Sequence, residues 1–166
     1  GITQTREPLQ VGAELYGHSG LESDLEIQQL MLKCLSVAGV RKIYLDLGHV
    51  AVFRSLIINA GISSQLETEL FTTLQAKDLS TLKELCSHLQ PSIRDALMLL
   101  PELYGGDRVL TDGAKWLPDY PEIKTALNEL NVIKQEMTSL VEHIAFDLAD
   151  LRGYHYHTGI VFAAYV

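Results

Sequence analysis

Apolar and polar positions alternate with period two in three stretches, as they do on a strand whose successive side chains face opposite sides. In Arg6 to Gly17, Val11, Ala13 and Leu15 oppose Gln10, Gly12, Glu14 and Tyr16. In Arg41 to His49, Ile43, Leu45 and Leu47 oppose Tyr44, Asp46 and Gly48. In His143 to Asp150, Ile144, Phe146 and Leu148 oppose Ala145, Asp147 and Ala149. Ile160 to Val166 is apolar throughout and reads as a strand buried on both faces.

Helical spacing fills the rest. Leu25, Ile27, Leu30, Met31, Cys34, Leu35 and Ala38 form one stripe, which Ser23 and Glu26 would open as a capping box and Gly39 would end. Val50 to Ala60 has the same period and stops at Gly61. From Ile62 to about Leu140 the punctuation predicts several short helices. Ser64 with Glu67 suggests a second capping box; Leu79, Leu82, Leu85, Cys86 and Leu89 form a stripe that Pro91 interrupts; Ile93, Ala96, Leu97 and Leu100 form the next. Gly105-Gly106 is a break, and a longer helix starting near Pro121 carries Ile123, Leu127, Leu130, Ile133 and Met137.

This order predicts one α+β domain over 1–166, with a largely antiparallel sheet flanked by helices and a helical insertion over about 62–140. The last two strands are too closely linked to hold a crossover helix between them, which favours the antiparallel arrangement. A chain of 166 residues with 47% hydrophobic content can bury such a core. It opens at Gly1-Ile2-Thr3 and ends inside an apolar run, so a fragment of a longer protein is expected.

Charge narrows the partners. A formal net charge of -8 argues against broad phosphate-backbone binding, so no nucleic-acid partner is expected. No apolar run reaches the roughly 20 residues that span a bilayer, and the first residues given lack the basic-then-apolar order of a signal peptide; no membrane partner and a cytoplasmic location are expected. Cys34 and Cys86 lie on helical stripes without metal-ligand or redox spacing and are expected to be reduced core residues.

Candidate chemistry concentrates in Asp147 to Gly159, where Arg152, Tyr154, His155, Tyr156 and His157 cluster beside glycine turns. Buried hydroxyls and ring nitrogens need partners, so such a segment makes poor core and a good pocket wall. Gln10, Glu14, Asp46 and Asp147 all sit opposite aliphatic strand faces. Were those faces to coincide, the acids and amide would meet an ammonium or imidazole, and Arg152 a carboxylate, as a small zwitterionic ligand requires. The same four positions also read as separately solvated residues, and periodicity does not decide between the two.

His155 and His157 would point the same way on a strand, an acceptable spacing for a metal pair, but no third ligand is evident and no metal or other cofactor is expected. His18, His49, His88 and His143 read as surface or helix-end residues. Neither a phosphate-cradling glycine loop nor a nucleophile elbow is present, and nothing in the chain supports phosphoribosyl transfer by itself.

Gln10-Val11-Gly12-Ala13-Glu14-Leu15-Tyr16-Gly17, followed by Ser23-Asp24-Leu25-Glu26, resembles the second half of motif 2 in histidyl-tRNA synthetases and their paralogues. Leu151-Arg152-Gly153-Tyr154-His155-Tyr156-His157-Thr158-Gly159 resembles the histidine-binding segment of the same group, which usually reads R-G-L-D-Y-Y-T-G. Order and separation match, and the resemblance covers essentially the whole chain. It implies a class II aminoacyl-tRNA synthetase-like fold.

His155 in place of the acid, His157 in place of the second tyrosine, and Asp46-Leu47-Gly48-His49-Val50 are more similar to the regulatory subunits of short-form ATP phosphoribosyltransferase. That resemblance implies a non-catalytic subunit that activates a separate catalytic subunit in the first step of histidine biosynthesis and contributes to histidine feedback. It also implies a homodimer within a hetero-oligomer. By the same resemblance Gln10, Glu14, Arg152, Tyr156 and His157 are the candidate histidine-binding residues, with no catalytic residue. The alternative is a catalytic-domain fragment of a histidyl-tRNA synthetase performing ATP-dependent histidine activation.

Overall fold

The computed structural model describes residues 10–157 and 159–166. Helix α1 (Leu21–Val37) precedes strand β1 (Tyr44–His49), and helices α2 (Val50–Asn59), α3 (Ser64–Gln75), α4 (Leu79–Cys86) and α5 (Pro91–Leu99) follow. A 3-10 turn at Leu100–Glu102 leads to the short strand β2 (Tyr104–Gly105), then α6 (Arg108–Trp116), α7 (Pro121–Met137), β3 (His143–Asp147) and β4 (Ile160–Tyr165). Among the described residues the strands form one mixed sheet in the order β2-β3-β1-β4.

Strand β1 is central. It runs parallel to β3, with Leu45 opposite Ile144 and Leu47 opposite Phe146, and antiparallel to β4, with Leu47 opposite Phe162 and His49 opposite Ile160. Its alternation is the one predicted: Leu45 and Leu47 are fully buried, while Tyr44 is exposed and Asp46 half-buried. Helix α7 lies against β1 and α2 and contributes Ile123, Leu127, Leu130, Ile133 and Met137 to the core, the five positions its 3.6-residue period picks out.

Several expectations change. Residues 10–17 form no strand, and residues 6–9 of the predicted Arg6 to Gly17 strand lie outside the described residues. A strand holds only where its amides and carbonyls meet a neighbour, and no described strand pairs with this stretch. The strands at His143–Asp147 and Ile160–Tyr165 are antiparallel in direction but not adjacent, because β1 lies between them. Gly105, predicted as part of a loop, belongs to β2 and pairs with Phe146 of β3, so the mostly helical stretch also contributes to the sheet. Tyr165 and Val166 at the end of the apolar run are exposed.

The helix starts also shift. Gly20 caps α1 and Ser23 is its third residue, with its hydroxyl reaching back to the His18 carbonyl at 3.2 Å, so the Ser23–Glu26 box does not form. The cap of α3 is Ser63, one residue before the predicted Ser64, and accepts the Leu66 amide. Helix α1 buries Gln28 and Leu32 and packs Leu25, Met31 and Leu35 of the predicted stripe, partly buried, against the core; Leu30, Cys34 and Ala38 of that stripe are exposed. Cys34 is thus a surface thiol, whereas Cys86 is buried as expected.

Candidate functional site

The topology decides where the Arg-Tyr-His segment lies. Since β3 and β4 flank β1, residues 148–157 lie over the C-terminal end of β1, where the Val50 amide donates to the Gly159 carbonyl at 3.1 Å. The segment is a run of tight turns. The Asp147 carboxylate accepts the Ala149 amide at 2.9 Å, Asp150 accepts the Arg152 amide at 3.1 Å, and the Gly153 carbonyl accepts the amides of both Tyr156 and His157. Gly153 has φ +69°, a backbone region that favours glycine, and a Cβ there would push the His157 ring aside. His155 and His157 lie in these turns and not on a strand, so the alignment needed for a metal pair is lost. Among the described residues no three His, Cys, Asp or Glu side chains are grouped to hold a metal ion.

One side of this turn faces a cleft of about 750 Å³ at the start of α1, the start of α2 and the first turns of α7. His18, Asp24, His49, Glu129, Tyr156 and His157 are among its walls. His49 is buried and caps α2: its Nδ1 accepts the Ala51 amide at 3.2 Å, and Nε2 lies 2.8 Å from Glu129 Oε2. With Nδ1 accepting, the proton sits on Nε2 and is donated to Glu129. Burial pushes the His49 imidazole below its usual range, against the pull of Glu129. Asp24 is pushed up, by burial and then by the Glu129 charge, with His157 acting the other way.

A second groove, of about 520 Å³, opens beside Asp46, Lys77, Asp147, Asp150, Arg152 and Tyr165. Arg152 donates Nε to both Asp150 oxygens at 2.9 Å and Nη2 to Oδ2. Burial alone would raise the Asp150 carboxyl, but its bonds to Arg152 outweigh this and hold it below the ordinary carboxylate range. Asp46 is shifted up by burial, which the nearby Arg152 only partly offsets. Lys77 reaches Asp147 at 3.4 Å.

The structure therefore divides the candidate residues. Tyr156 and His157 share the cleft; Arg152 faces the second groove and meets His157 only in a small depression between the two. Asp46 and Asp147 do share a face, as the alternation implied, but Gln10 and Glu14 line neither site. Both are exposed, and Glu14 accepts the Tyr16 hydroxyl.

Periodicity missed Asp24, His49, Arg54, Glu67 and Glu129. Arg54 donates to the carbonyls of Tyr154 and His157, and the Tyr154 hydroxyl donates to Glu67 at 2.7 Å. His49 just before an apolar helical run was a weak helix-start signal. The pairings themselves join residues some eighty or more positions apart and leave no local trace.

A central strand flanked by one parallel and one antiparallel neighbour, with a ligand-sized cleft at its end, agrees with the class II aminoacyl-tRNA synthetase-like fold that the resemblance implied, and comparison with known proteins bears that fold out. The solved structure of an ATP phosphoribosyltransferase regulatory subunit/histidyl-tRNA synthetase from Bacillus halodurans C matches it with a TM-score of 0.75 at 26% identity, covering 90% of this chain and 40% of that one. The ATP phosphoribosyl transferase (HisG:HisZ) complex from Thermotoga maritima matches with a TM-score of 0.62 at 15% identity, over 88% of this chain and 52% of that one, a likeness of fold alone.

The family model described as histidyl-tRNA synthetase matches residues 1–166, and the chain belongs to that family. The ATP phosphoribosyltransferase regulatory subunit of Nitrosospira multiformis is 63% identical over 99% of this chain. The chain spans 43% of the length of that relative. No helix among the described residues is long and apolar enough to cross a membrane.

Proposed function

We propose that this chain is part of a regulatory subunit of short-form ATP phosphoribosyltransferase, which activates a separate catalytic subunit in the first step of histidine biosynthesis and contributes to histidine feedback. The observation that carries the reading is the 63% identity, over 99% of the chain, to a protein of that name. The subunit carries no catalytic residue of its own, acts in the cytoplasm as a homodimer within the hetero-oligomer, and keeps residues 62–140 as a mostly helical insertion.

The residues of its inherited histidine pocket are Gln10, Glu14, Arg152, Tyr156 and His157; Tyr156 and His157 line the cleft, and Gln10, Glu14 and Arg152, which stand outside it here, move in when histidine binds. Tyr156 and His157 supply the aromatic side, and the neighbouring Asp24 and Glu129 carboxylates suit an imidazole N–H or an ammonium group. Arg152 meets the carboxylate by sharing or exchanging its Asp150 partner. Feedback then follows from differential histidine affinity between states of the complex.

Mixing the full-length protein with the catalytic subunit tests this. The expected result is a rise in ATP- and phosphoribosyl-diphosphate-dependent turnover, histidine binding by calorimetry that Glu14→Ala weakens, and no histidine-dependent pyrophosphate exchange by the protein alone. Histidine-dependent exchange would make it a synthetase and overturn the reading.

A further inference from the structure

We infer that Arg54 is a positioning residue for the cleft: from α2 it clamps the turn that carries Tyr156 and His157. This rests on the reading of the cleft as a histidine site.

The geometry is specific. Arg54 Nη2 carries two hydrogens, and it lies 2.8 Å from the Tyr154 carbonyl and 2.9 Å from the His157 carbonyl, so each hydrogen has one acceptor. Among the described residues the guanidinium makes no ion pair with a carboxylate, and it sits 4.8 Å from the centre of the Tyr154 ring. Its charge-assisted donors are therefore directed to the backbone of the turn.

The turn's own hydrogen bonds, from Tyr156 and His157 to Gly153, set its internal shape but not its place against α2. That place matters because the facing wall of the cleft is formed by His49 and Ala51 at the start of α2, with Glu129 held on His49. Arg54 belongs to the same helix as this wall. By gripping the carbonyls on either side of Tyr156, it fixes His157 relative to Glu129. Losing the grip leaves the turn intact but free to shift, so ligand binding would then have to order it.

On the far side Tyr154 packs edge-on against Phe53 of α2, with ring centres 5.2 Å apart, and tilted against Phe71 of α3 at 5.6 Å. This anchors one end of the turn. The His157 end has Arg54 as its side-chain tie to α2.

The test uses the full-length protein, with histidine as the calorimetric probe and amide hydrogen exchange as a second readout. Arg54→Ala is expected to weaken histidine binding about tenfold or more and to speed exchange at the Tyr156 and His157 amides by a similar factor, leaving the Leu45 and Leu47 amides of β1 unchanged. Methylguanidinium at a non-denaturing concentration should restore much of the affinity of Arg54→Ala and none of that of His157→Ala, a rescue that a general stabilising role would not produce. Unchanged affinity in Arg54→Ala beside a wild-type protein that binds, or faster exchange spread equally over β1, overturns the assignment. A wild-type protein that binds no histidine sinks the reading of the cleft instead, and exchange at Tyr156 and His157 still decides whether Arg54 holds the turn.

Discussion

His49 Nε2 lies 2.8 Å from Glu129 Oε2 while its Nδ1 accepts the Ala51 amide, so a single imidazole caps α2 and ties it to α7. The cap works only while Nδ1 is unprotonated, and burial, opposed by Glu129, lowers the folded-state value below the ordinary 6.5. Above about pH 6.5 both folded and unfolded forms are neutral and the contribution is complete. As pH falls below that, the unfolded chain takes up the proton first, and stability declines until the folded-state value is reached. Urea midpoints measured at about pH 7.5 and about pH 5.5 should show this drop, and His49→Asn, which can still cap, should show a smaller one. Equal drops in the two proteins would place the titration elsewhere.

Tyr154 joins α2 to α3 through its ring, packed on Phe53 and Phe71, and its hydroxyl bond to Glu67, and burial together with Glu67 pushes that hydroxyl up to about 12. Tyr154→Phe should cost about 1–2 kcal/mol in denaturant unfolding, since one bond to a charged acceptor is lost. Tyr154→Leu, the residue usual in the synthetase segment, should cost about 2–4 kcal/mol because the aromatic contacts go too. In an alkaline absorbance titration, Tyr154→Phe should remove the latest phenol to ionise.

Gly48 sits mid-sheet where β3 turns away. A Cβ there would stand 2.8 Å from the Asp147 carbonyl oxygen, 3.0 Å from Val161 and 3.2 Å from Asp150. Backbone cannot give way as a flexible side chain can, so Gly48→Ala should destabilise by about 1–3 kcal/mol. A substitution without effect on the thermal midpoint would show that β1 and β3 can separate at this point.

The two cysteines should differ in reactivity. Cys34 is exposed, whereas burial raises the Cys86 thiol to about 11. One equivalent of a thiol reagent should react with Cys34 in the native protein, with Cys86 labelled only after unfolding; mass spectrometry of the labelled peptides distinguishes them.

Residue order alone determined the elements whose stability is local or nearly so. The α7 stripe from Ile123 to Met137 and the Leu45–Leu47 alternation in β1 match the structure because one amphipathic face meets one core. The resemblance of Arg152 to Gly159 to a ligand-binding segment was likewise visible in the sequence, since the motif is contiguous. Placing Gln10 to Gly17 in a strand failed for the opposite reason: alternation states which face a strand would bury but supplies no partner for its backbone.

Tertiary structure decided the rest. Only the insertion of β1 between β3 and β4 draws residues 148–157 over the end of β1 and into contact with α2 and α7. That contact sets Tyr156 and His157 beside His49 and Glu129, turns Arg152 towards Asp150 in a different groove, and gives Arg54 its two carbonyls. Periodicity reports which way a side chain points along its own element, whereas the distance between two such elements is set by chain crossing and packing, which no local pattern encodes.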